Sequence, residues 1–64
     1  MQNQLGNAIP YLDVNIKLAK ARNDIVALAE GYKSLSKAYK GVGNNKEALI
    51  NSLLFTEISD SIND

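Results

Sequence analysis

Between Asp24 and Gly41, Ile25, Leu28, Ala29, Tyr32, Leu35, Ser36 and Tyr39 recur at steps of three and one. That spacing lays a single stripe along a helix and fits no strand, whose faces alternate at every second residue. A helix with such a stripe needs a neighbour, and the chain supplies one directly. After the turn Gly41-Val42-Gly43-Asn44-Asn45, the residues Ala48, Leu49, Ser52, Leu53, Phe55, Thr56 and Ile58 read as a third helix, facing inward or sideways. Tyr32 to Phe55 therefore forms a helix, a tight turn and an antiparallel helix. Asp24 reads as the N-cap of the first of these helices. Asn44, with Glu47 three residues on, resembles a capping box. Gly41 and Gly43 are candidates for the left-handed residue that ends many helices.

A leading helix precedes this hairpin. Asn7 is a suitable N-cap, and Pro10 then falls in the first turn, where its missing N–H removes no bond. A start at Asn3 would instead place Pro10 inside the helix. Ile9, Leu12, Ile16 and Ala19 form one apolar stripe, with Tyr11, Val14 and Leu18 in a second beside it. That is more apolar circumference than one neighbour requires. Lys17, Lys20 and Arg22 complement the negative end of the helix dipole. Gly31 costs its helix about 1 kcal/mol relative to alanine, and a close helix crossing, helped by Ala27 and Ala38, is the usual compensation. The expected architecture is all-α, with antiparallel helices near 7–22, 25–41 and 45–60 and a tail from Ser59 that frays. Residues 1–64 make a single small helical domain or fragment.

Composition narrows the chemistry. The chain has 64 residues, no cysteine and no histidine, so disulfides, thiolate zinc sites and the commonest general base are excluded. Seven basic and seven acidic residues cancel, which argues against a nucleic-acid partner. No apolar run reaches the roughly 20 residues of a membrane span. Met1 to Gln4 lack a secretory start, which favours a cytoplasmic chain or a piece excised from a longer one. Burying a large apolar side chain gains about 1.5–3 kcal/mol while ordering each residue costs about 1.5 kcal/mol, so a lone chain of this size sits near balance. A homodimer, or packing against further helices, is therefore expected.

Comparing the chain with itself adds a repeat. Ala8-Ile9, followed by Leu12 and Leu18, is matched forty residues later by Ala48-Leu49, followed by Ser52 and Ile58. The hairpin resembles a tetratricopeptide repeat (TPR). Tyr32 and Tyr39 stand at its aromatic positions, Leu35-Ser36 at its Leu-Gly pair, Gly43-Asn44-Asn45 at its turn, and Ala48 at the small residue opening its second helix. Ser52 stands where an aromatic is common, Phe55 where alanine is common, and the closing proline near Asp60 is missing. The spacing exceeds the usual thirty-four or so and looks more like the long-helix variety in sensor and regulator proteins of the Bacteroidetes type. The resemblance implies one complete repeat, about 25–60, preceded by a helix from an incomplete repeat, and a role in protein–protein interaction. The alternative it implies is a sensory or regulatory segment of a larger signalling protein such as a sensor kinase.

Two groups of residues are candidates for contact with a protein or peptide. By the resemblance, Lys33 and Lys37, with Lys40 in the same row, match groove-lining positions that hold an acidic peptide; the plain alternative is a solvated outer face. Tyr11, Val14 and Leu18 form a patch that a missing partner helix would cover. Tyr32 and Tyr39 are explained by helix packing, with ligand stacking as the alternative. Glu57 and Asp60 share a face but have no histidine or cleft beside them, and Gly41-Val42-Gly43 lacks the strand and Lys-Ser/Thr of a phosphate loop. No catalytic, metal or cofactor site is expected. The rivals to an interaction module are a monomeric three-helix bundle and a helix-turn-helix nucleic-acid binder.

Overall fold

The computed structural model describes the backbone of residues 4–63 and the side chains of residues 7–62. Met1 to Asn3 and Asp64 lie outside the described residues. Three helices make up the fold: α1 (Gln4–Arg22), α2 (Ile25–Gly41) and α3 (Asn45–Asn63). The all-α expectation holds.

Both turns are built alike. Asn23, at φ 57°, follows α1; its N–H reaches the Lys20 carbonyl at 3.2 Å and the Asp24 N–H reaches that of Ala19 at 2.9 Å. Gly43, at φ 84°, follows α2 with the same pair of bonds, to Lys40 at 3.1 Å and from Asn44 to Tyr39 at 2.9 Å. A left-handed residue that closes the last carbonyls in this way is the Schellman stop. The next helix starts at once. Asp24 Oδ1 accepts from Ala27 N–H at 3.1 Å, and Asn44 Oδ1 accepts from Glu47 N–H at 3.3 Å. The side-chain oxygens thus pair amides that a helix start leaves free.

Two boundaries differ from expectation. The first helix begins at Gln4, so Asn7 is inside it rather than capping it, and Pro10 is an interior proline. Lacking an N–H, Pro10 leaves the carbonyl four residues earlier without its helical partner, a loss confined to the first turns. At the other end α3 runs on to Asn63, with Ser61 Oγ donating to the Glu57 carbonyl at 3.2 Å.

The order of packing decides what the molecule can do. The middle helix, α2, contacts both α1 and α3, and among the described residues no close backbone approach joins α1 to α3. The helices form an open layer, not a closed three-helix bundle. Its extents are 41 × 21 × 13 Å, and its radius of gyration of 11.8 Å exceeds the roughly 10.7 Å of a compact chain of this length.

The core is thin. Its buried apolar residues are Ile16 and Ala19 from α1, Ala29, Leu35 and Ala38 from α2, and Ala48 from α3. Only Ile16 and Leu35 are large. The alanines and Gly31 trade volume for closeness; of the two alanines expected to help, Ala38 is buried and Ala27 is exposed. A Cβ on Gly31 would stand 2.6 Å from Ile16 Cγ1, so the crossing of α1 over α2 requires a glycine there.

Candidate interaction surfaces

An open layer has two edges, and both edges here are apolar. Ile16 and Ala19 turn α1 toward α2. Away from that side Tyr11 and Val14 are 74% and 54% exposed, while Leu18, 50% exposed, lines the groove between α1 and α2. Of the patch inferred from sequence, Tyr11 and Val14 are exposed on α1, and Leu18 is not turned away from α2 with them.

The second edge was missed. Leu49 and Leu53 read from sequence as inward or sideways, yet they are 61% and 59% exposed, with Ile50 beside them at 41%. The inward stripe of α3 is instead Ala48, Asn51, Leu54, Phe55, Ile58 and Ser59. Both stripes on α3 have helical spacing, so periodicity alone could not choose between them. A hydroxyl pair on the inner side shows how the helix is turned. Ser36 Oγ donates to the Ala48 carbonyl at 2.9 Å and lies 2.9 Å from Ser52 Oγ. A bond from side chain to helix backbone demands close approach, which the small Ala48 allows. Asn51 is the buried polar residue, its Nδ2 donating to the Glu47 carbonyl at 2.8 Å. That bond meets the requirement that a buried amide be paired.

The lysine row divides. Lys33 Nζ lies 5.8 Å from the centroid of the Phe55 ring, so its charge rests on α3. Such a contact is worth about 0.5–1 kcal/mol at an exposed site and serves the α2–α3 joint. Lys37 and Lys40 are exposed on α2.

Between α1 and α3 the floor of the layer is formed by Leu28, Tyr32, Leu35 and Tyr39, all buried or half-buried. The Tyr39 phenol is held above its usual range first by burial, then by the negative charges of Asp13 on α1 and Glu47 on α3. A protonated, half-buried phenol between two helices fits packing and suggests no nucleophile. On the other side an open groove of about 350 Å³ runs between α1 and α2, lined by Leu12, Asn15, Arg22, Asp24, Glu30 and Ser34 among others. Its mixture of one cation and two carboxylates selects no ligand charge. Among the described residues no cluster of acidic side chains could hold a metal, and no helix is long and apolar enough to cross a membrane.

Comparison with protein-family models, curated proteins and solved structures gives no match.

Proposed function

We propose that the chain is a helical interaction module of the tetratricopeptide-repeat kind, a scaffold that works by packing its outer helix faces against further helices. One observation carries the reading: among the described residues α1 and α3 each pack on α2 and not on each other, leaving apolar side chains exposed on both outer edges. In a closed bundle those edges would cover one another. In a stacked array each would meet the next unit, and stability would come from such interfaces as much as from the unit itself. The Ser36–Ala48 bond supports the repeat-like hairpin of α2 and α3, and the close crossing at Gly31 seats α1 against it.

Exposed area agrees. The surface measures 4743 Å², against about 4,000 Å² for a compact folded chain of 7.0 kDa. The excess of about 700 Å² is close to the ~800 Å² that each partner contributes to a standard interface.

A tandem of two complete chains, joined end to start, tests the reading by urea unfolding at concentrations too low for self-association. If the edges are packing faces, the tandem unfolds in one transition, with a higher midpoint and a steeper denaturant dependence than the single chain. Two units melting independently at the single-chain midpoint would overturn it.

A further inference from the structure

The outer face of α3 has an order to it. Lys46 stands near its start, Leu49, Ile50 and Leu53 in the middle, and Glu57 and Asp60 toward its end, all of them exposed. At 3.6 residues per turn these six share the side of α3 opposite Ala48 and Asn51, which are buried. A second copy of α3 laid on this face in the same direction would set Lys46 beside Lys46 and carboxylate beside carboxylate. Laid in the opposite direction, it sets each Lys46 beside Glu57 or Asp60 of the other copy. Ile50 and Leu53 then meet at the centre. The face is self-complementary in one orientation only.

Resting on the reading of the edges as packing faces, we propose that a second copy of this chain docks on the α3 edge, α3 against antiparallel α3, about a two-fold axis near Ile50 and Leu53. Helix parity points the same way. The layer holds three helices of alternating direction. A two-fold axis across the α3 edge continues the alternation into a layer of twice that number, with neighbouring helix dipoles opposed. Stacking α3 on the α1 edge of an unturned copy would instead align parallel helices and repeat without closing. The α1 edge lacks the charge pattern, since Arg22 stands near its end and the uncharged Asn7 near its start. It stays open to other helices. The excess area of about 700 Å² fits one such contact per chain.

Sedimentation of four samples tests this: the wild type, Lys46→Glu, the double variant Glu57→Lys/Asp60→Lys, and an equimolar mixture of the two variants. Lys46→Glu and Asp60→Lys place charge where the α3 dipole favours it and Glu57 lies before the last turn, so neither variant is expected to weaken the helix itself, and circular dichroism checks that. The wild type is expected to be a dimer at micromolar concentration. Each variant alone should dissociate roughly tenfold more readily, because like charges then meet at both ends of the seam. The mixture should form a one-to-one heterodimer at least as tight as the wild type. Variants that self-associate as the wild type does, or a wild type that grows into an open series, would overturn the proposal. A monomeric wild type would overturn it too; if the tandem still unfolds as one unit, the edges remain packing faces and only the two-fold contact fails.

Discussion

Replacing Gly31 with alanine lowers the stability of the chain, although alanine is the better helix former by about 1 kcal/mol. The new Cβ would lie 2.6 Å from Ile16 Cγ1 and 3.3 Å from Ile16 Cδ1. Ile16 is 6% exposed and its Cγ1 is not a free end, so α1 must move away from α2. Overpacking of this kind costs about 1–3 kcal/mol, more than the helix gains in most of that range. Leucine at the same position goes further and separates α1 while α2 and α3 keep the Ser36–Ala48 bond between them. Hydrogen exchange should then show protection lost throughout α1 and retained in the hairpin. Removing the obstructing side chain supplies the control. Ile16→Ala alone costs roughly 2–5 kcal/mol, but Ile16→Ala with Gly31→Ala should cost less than the two changes summed, by about 0.5–3 kcal/mol. A rise in the unfolding midpoint for Gly31→Ala alone, the outcome of helix propensity acting by itself, would refute the close crossing.

Leu35→Ala is expected to abolish cooperative unfolding of the isolated chain. Leu35 is 3% exposed at the middle of α2, and with Ile16 it supplies the large side chains of a core otherwise made of alanine. Truncating such a residue costs about 2–5 kcal/mol. The whole stability of a chain this long is only about 3–10 kcal/mol, and an open layer belongs at the lower end. Val14→Ala is the comparison. Val14 is 54% exposed on the α1 edge, so its loss should change stability by no more than about 0.5 kcal/mol. Urea titrations followed by circular dichroism separate the two. Equal losses at Leu35 and Val14 would mean that α1 turns a different face to α2.

Much of this architecture was legible because local signals agreed with one another. Asp24 and Asn44 mark the starts of α2 and α3, and their side chains make the cap bonds their positions imply. Gly31 announced a close crossing, since a glycine inside a helix otherwise has only a cost. The turn at Asn23 was legible only as an end; its left-handed backbone, matched twenty residues later by Gly43, shows the two turns to be the same device. The start of α1 was misplaced because Pro10 signals a first turn more strongly than it reports an interior kink. The α3 edge was missed for a different reason. Ala48, Asn51 and Phe55 form one helical stripe and Leu49, Ile50 and Leu53 another, and the more apolar stripe is the one left outside. Hydrophobicity alone assigns that face to the core. The inner face is chosen by closeness, through Ala48 and the Ser36–Ser52 hydroxyl pair, which a hydropathy pattern does not register.

Side-chain NOEs within one chain measure the open layer most directly. A labelled chain diluted into unlabelled chain confines the signals to intramolecular contacts. The spectrum should connect Ile16 with Gly31 and Lys33 with Phe55, joining α1 to α2 and α2 to α3. It should hold no contacts between Tyr11, Val14 or Leu18 and Leu49, Ile50 or Leu53, which stand on opposite edges. A set of NOEs linking those two stripes would mean that the helices close on themselves, and would contradict both the edges and the function drawn from them.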